Sequence, residues 1–357
     1  MRKRVIASRS TTLAALALVN LVLLGYFAWM GWGIIEFRAA QNALSHREFP
    51  TARKHLSNSL RVWPRDPETL LFAAQAARQD GAMEEASQLL NTAERADAVP
   101  EAIALERDLI RLQLGDPSDV DRFITVCEEY PAASQTRLIL EAVIIGSISR
   151  VDLATARRTI DLWEPGCVSE QDRIQSWIWR GELAIRTGDV DTAASRYRQV
   201  VEADPTKDMA RLRLAELLSN IAPRDALAHL ELLIRKQPND SPLLFQKAIC
   251  YRSLGEQEQA DQLLAEVLSR NPADFRAILE RGQIAMELRQ FEAAERWFRK
   301  ATEIHPERRD PNMSLARCLR LAGKESEAKL YFEKVAKIDA DLEQRIKRLR
   351  EKGTLQE

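Results

Sequence analysis

The chain has 357 residues, 29% of them charged, with 52 Lys and Arg against 53 Asp and Glu and a formal net charge of −1. This balance excludes the large basic excess expected of a nucleic-acid binder, and the length points to several domains or a repeat array. The four cysteines (Cys127, Cys167, Cys250, Cys318) and four histidines (His46, His55, His229, His305) form no C-x-x-C pair and no zinc-ligand spacing. The cysteines therefore read as core filling, and neither a metal nor another cofactor is expected.

In chain order, residues 1–10 come first as a basic segment carrying Arg2, Lys3, Arg4 and Arg9 with no acid. Residues 11–35 are uncharged, with Asn20 the one strongly polar side chain. About 20 apolar residues span a bilayer core, and the run is longer than the apolar region of a cleaved signal peptide. The expectation is an uncleaved transmembrane signal anchor. The far flank mixes Glu36 and Glu48 with Arg38 and Arg47, so the positive-inside rule places the N-terminus in the cytoplasm. The rest of the chain then lies on the extracytoplasmic side of a cytoplasmic (inner) membrane, as a single-pass protein. Tyr26, Trp29 and Trp32 cluster toward the far end, as an interfacial aromatic belt does.

A repeat occupies 36–338. Pro205, Pro238, Pro272 and Pro306 recur 33, 34 and 34 residues apart, with Pro64 upstream. Between them an alanine opens each second helix: Ala52, Ala86, Ala156, Ala193, Ala226, Ala260, Ala294 and Ala328, with Val120 once in its place. Four residues later stands a large apolar side chain: Leu56, Leu90, Ile124, Ile160, Tyr197, Leu230, Leu264, Phe298 or Phe332. Small residues (Ala40, Ala74, Gly181, Ala215, Ala248, Gly282, Ala316) mark the first helices, and Gly81, Gly115, Gly188, Gly255 and Gly323 mark turns. Two helices approach closely only where both side chains are small, and large neighbours fill the space beyond. Prolines end the second helices, and Asp204, Asn271 and Asp310 beside them are expected to cap the next ones.

This pattern resembles the tetratricopeptide repeat (TPR) family, most clearly over 241–340 and in the WIWRGELAIRTGDVDTAASRYRQVVEADP segment. The resemblance implies an all-α, right-handed solenoid of about nine helix-turn-helix repeats, with the transmembrane helix before it and a capping helix and tail over 339–357 after it. The first repeat is expected to continue directly from the membrane helix through Phe37, Ala40 and Leu44. The third and fourth repeats depart from the pattern, because Asp108 and Ile144 hold the small position and Pro165-Gly166-Cys167 adds residues. Irregular packing or a hinge is expected there. A Cys127–Cys167 bridge is left open, whereas Cys250 and Cys318 lie two repeats apart, too far for a disulfide. The cap carries an apolar stripe of Leu342, Ile346 and Leu349 beside Arg345, Lys347, Arg348, Arg350 and Lys352.

In the family, the first helices line a concave groove that receives a protein segment. Carried over, the groove positions are Leu71, Gln75 and Arg78, then Leu105, Leu109 and Leu112, then Ile178 and Glu182. Later repeats contribute Phe245, Ile249 and Arg252, then Leu279, Gln283 and Met286, and last Met313, Arg317 and Arg320. Versions that clamp a C-terminal carboxylate carry Lys and Asn at such places. Leu, Phe, Ile and Gln stand here instead, so the expected ligand is an apolar or amphipathic protein segment.

No phosphate loop, H-E-x-x-H or G-x-S-x-G occurs, and the repeats leave no length for a catalytic domain. The sequence thus reads as a membrane-anchored, non-catalytic adaptor that binds a protein or peptide and touches lipid through its anchor. Self-association as a homo-oligomer, or service as an accessory subunit of a membrane enzyme or secretion complex, remains the alternative. Asn239-Asp-Ser241 and Asn312-Met-Ser314 match the glycosylation sequon by chance and are given no role.

Overall fold

The computed structural model describes residues 2–351, with side chains placed over 20–133 and 135–348. The described residues form eighteen α-helices, one 3-10 turn and no strand. They divide into two compact units, Met1–Asp189 and Val190–Glu357.

The first unit contains α1 (Arg2–Ser45), α2 (Phe49–Val62), α3 (Pro67–Gln79), α4 (Met83–Arg95), α5 (Pro100–Gln113), α6 (Val120–Glu129), α7 (Ser134–Arg150), α8 (Leu153–Trp163) and α9 (Glu170–Thr187). The second contains α10 (Val190–Ala203), α11 (Asp208–Leu218), α12 (Pro223–Lys236), α13 (Ser241–Ser253), α14 (Gln257–Arg270), α15 (Phe275–Glu287), α16 (Phe291–Ile304), α17 (Arg309–Leu321) and α18 (Glu325–Glu351). Within the second unit each helix packs on the next, the signature of a solenoid. The fifth repeat is divided, with α9 in the first unit and α10 in the second.

The alanine code explains the pairing. Ala52, Ala86, Ala156, Ala193, Ala226, Ala260 and Ala294 are wholly buried, as are Leu56, Leu90, Ile160, Leu230 and Phe298 one turn later. Opposite Phe298, Gly282 leaves no room at all: a Cβ there would stand 2.4 Å from the ring. Most turns inside the repeats use one residue with a left-handed backbone, the α11–α12 turn being an exception. Gly81, Gly115, Gly188, Gly255 and Gly323 supply it at φ of 76–84°, while Arg47, Val151 and Arg289 are forced into the same region at φ of 57–64°.

Of the residues beside prolines, Asp66 before Pro67 caps a helix start, whereas Asp204, Asn271 and Asp310 do not. Asp66, Asp240 and Asp274 accept from the backbone N–H groups of Thr69, Leu243 and Ala277 at 2.8–2.9 Å. Asp204 and Asn271 instead accept from the N–H two residues on, Thr206 and Ala273, and so hold the turn over the proline. Asp310 lies inside α17, whose N-cap is Arg308. This corrects the expectation from sequence for these three: Asp204 and Asn271 close their own turns, and Asp310 already belongs to its helix.

The third repeat is irregular. α5 comes closer to α3 and α7 than to α6, because Asp108 is too large for the small position and its carboxylate turns to Arg111 at 2.6 Å. Leu109, Leu112 and Ile124 bridge the wider gap and join the core of α7 and α8. The extra residues at 164–166 form an ordered 3-10 turn. There Arg180 reaches Glu164 at 2.8 Å, Arg137 donates to the Gly166 carbonyl, and Trp163 meets Trp179 edge-on at 4.8 Å. Cys127 and Cys167 are free thiols in this region, each pushed up to about 11 by burial.

α1 runs unbroken for 44 residues. Its last turns pack on α2 and α3 through Phe37, Ala40, Ala43 and Leu44, and Gly33 lies against Trp63. Further back, Leu21, Leu24, Phe27 and Ile35 are 64–67% exposed. Over 20–45 the helix is long and apolar enough to cross a membrane.

Candidate functional site: the concave faces of the two units

In the second unit, α11, α13 and α15 lie side by side and enclose a concavity of about 690 Å³. Phe245, Ile249, Phe275 and Leu279 form its apolar floor. Arg276 lies over the Phe245 ring at 4.2 Å and Arg308 over the Phe275 ring at 4.8 Å. Cation–π stacking of this kind holds a guanidinium flat while leaving its edge free to donate. Arg213, paired with Glu216 at 2.9 Å, also lines the concavity, as does Glu280. Glu280 is held above the usual carboxylate range by burial, although the Arg252 guanidinium 3.1 Å away favours its charged form. The two atoms are close without being aligned as a hydrogen bond, which fits burial winning. Three arginines thus face Glu216 and Glu280, with Arg213 already on Glu216 and Arg308 also donating to Asp310 at 3.4 Å.

Of the residues expected in the groove, Phe245, Ile249 and Leu279 do line this concavity. Arg252 stands behind it, tied to Glu280 and, at 2.8 Å, to Glu287. Gln283 donates to Ser314 at 3.2 Å, and Met286 packs into the core beside Phe298. Met313 is half-buried, while Arg317 and Arg320 are exposed, Arg320 lying 5.2 Å over the Phe332 ring. None of these six lines the concavity. Arg213, Arg276 and Arg308 were missed. Arg276 and Arg308 adjoin Phe275 or the helix start after a proline, a placement that could have marked them.

The first unit differs. Its inner face keeps a polar concavity of only about 200 Å³, which Gln75 lines. Arg47, in the first turn, forms an ion pair with the buried Glu141 of α7, so the unit is tied across its own concave side. Arg78 and Leu109 are removed from the groove: Arg78 is 1% exposed, donating to Glu106 at 2.8 Å and to Gln113 at 3.1 Å, and Leu109 is wholly buried. Leu112 is buried with it. Leu71, Leu105 and Ile178 are half-buried, and Glu182 holds Arg186 at 3.3 Å. Among the described residues no group of three or more His, Cys, Asp or Glu is placed to hold a metal ion.

The tetratricopeptide repeat family model matches residues 37–102, 180–241, 245–312 and 279–343. The chain belongs to the tetratricopeptide repeat family. The unmatched stretch between the first two matches, 103–179, is where α5 and α6 lose their regular pairing. Repeats of this family serve as protein–protein interaction scaffolds and are typically non-catalytic. Over 88 residues the chain is 33% identical to cellulose synthase operon protein C of Pseudomonas fluorescens (strain SBW25), a match that takes in 24% of this chain and only 7% of that protein. Among solved structures, PilW, a type IV pilus biogenesis factor, is 19% identical with a TM-score of 0.48, covering 56% of this chain and 91% of that one. A thermophilic TPR protein of Thermus thermophilus is 20% identical with a TM-score of 0.42, covering 49% and 96%.

Proposed function

We propose that this TPR chain is a membrane-anchored adaptor that holds an extended protein segment in the concavity of α11, α13 and α15. The observation that carries this reading is the concavity itself, an apolar floor rimmed by Arg213, Arg276 and Arg308. An apolar side chain of the ligand fills the floor over Ile249 and Leu279. A carboxylate nearby then meets guanidinium edges already held in place by the aromatic rings, so little ordering entropy is lost. The first unit, tied across its inner face, serves as a stiff spacer. Residues 11–35 cross the membrane, with Arg2, Lys3, Arg4 and Arg9 on the cytoplasmic side and the repeats on the other.

The reading is tested by in-cell crosslinking and capture of the full-length protein beside Ile249→Glu, Leu279→Glu and Arg276→Glu variants. Loss of one discrete partner in all three, with helicity unchanged, is the expected result. A partner retained by all three excludes this concavity. Alkaline extraction of membranes tests the anchor, and protease access from either side tests its orientation.

A further inference from the structure

α18 is 27 residues long, where α14 and α16 have 14 each. Its first half belongs to the core of the second unit through Ala328 and Phe332, and Val335 is 3% exposed. The same stripe then continues at helical spacing as Ile338, Leu342 and Ile346. Here no comparable cover comes from the described residues: Leu342 is 54% and Ile346 37% exposed. Apolar residues repeating along one helix face past the end of the helix they packed on form an unpaired helix–helix surface.

The charges around the stripe say what covers it. Asp339, Asp341 and Glu343 come first, and Arg345, Lys347 and Arg348 follow. Asp339 is already held by Arg309 at 3.0 Å, which leaves Asp341 and Glu343 against three cations. Two such helices laid parallel set acid against acid and base against base. Laid antiparallel, each acidic half meets a basic half. With the two-fold axis at position 344, Leu342 of one copy falls opposite Ile346 of the other. In the same register Asp341 falls within a turn of Arg345 and Arg348, which share its flank of the helix. The apolar and the charged register therefore coincide.

We propose that the extension of α18 pairs antiparallel with α18 of a second copy of this chain, in an isologous two-fold contact. Three apolar positions per copy make an interface well below the ~1,200 Å² of a standard one, so the association is concentration-dependent, and confinement of both copies to one membrane strengthens it.

The test uses the full-length protein in detergent, with mass followed by sedimentation over a hundredfold concentration range. Two charge variants, Asp341→Lys/Glu343→Lys and Arg345→Glu/Arg348→Glu, are each expected to move dimer formation to at least tenfold higher concentration. Their equimolar mixture is expected to restore it, which a folding defect would not allow. Leu342→Ser/Ile346→Ser is expected to weaken the dimer alone and in every mixture. A wild-type mass of one copy throughout overturns the proposal. So does a dimer that either charge variant or the Ser variant leaves intact, which places the contact elsewhere, or a mixture that stays monomeric.

Discussion

Gly146 sits within α7 where it crosses α5. A Cβ at this position would stand 1.9 Å from the Leu112 carbonyl oxygen and 3.1 Å from the Gly115 backbone. Carbon and oxygen normally approach to about 3.3 Å, so Gly146→Ala drives α7 from α5 by more than about 1 Å. The obstacle is backbone, and no rotamer change relieves it. Overpacking of this kind costs about 1–3 kcal/mol, and a backbone clash belongs at the top of that range. Alanine returns up to about 1 kcal/mol of helix propensity, which leaves a net loss of about 2 kcal/mol. That corresponds to roughly a 30-fold rise in local opening. Hydrogen exchange read by mass spectrometry should show peptides of α5 and α7 exchanging faster by about that factor, with α13 to α16 unchanged. Unaltered protection of α7 would refute the close approach on which the packing of the first unit is argued.

Removing Arg78 leaves Glu106 and Gln113 buried without their donor, so Arg78→Ala should destabilise the first unit by about 3–5 kcal/mol; Arg78→Met/Glu106→Leu, which removes the pair together, should cost far less in denaturant unfolding. His229 is held below its ordinary value of 6.5 by burial, and next by the Arg211 guanidinium 3.4 Å away. The folded chain therefore binds this proton less readily than the unfolded one. The stability it contributes is present above about pH 6.5 and lost as pH falls through its lower folded value. His229→Gln should flatten the fall in melting temperature below pH 6.5, and parallel curves for the two proteins would exclude the effect.

Much of this fold was legible because the alanine position tolerates so little. Ala86 or Ala260 cannot enlarge without parting its helix pair, and this constraint writes a visible period into the sequence. Close approaches between one repeat and the next leave no such mark. Gly146 lies two residues beyond the degenerate position held by Ile144, so counting within the repeat passes over it, although it is the tightest contact among the described glycines. Turn conformation was half legible. Glycine announces a left-handed residue, but Arg47, Val151 and Arg289 adopt the same backbone and look ordinary. Arg47 has a reason to remain an arginine, since its side chain reaches Glu141.

The groove was legible only where the small-residue code around it is intact. In α13 and α15, the buried Ala248 and Gly282 let each second helix settle close. The first helices then keep their expected rotation, and Phe245, Ile249 and Leu279 open on the concavity. In α5 the small position is Asp108, α6 stands off, and α5 falls against α7. That displacement carries Leu109 into the core although its place in the repeat is that of Ile249. A groove residue is thus a property of two contacts at once: its own position in the first helix, and the small pair that sets how that helix is turned. If so, Gly282→Leu, which touches no residue of the concavity floor, should weaken partner capture as Leu279→Glu does, through rotation of α15.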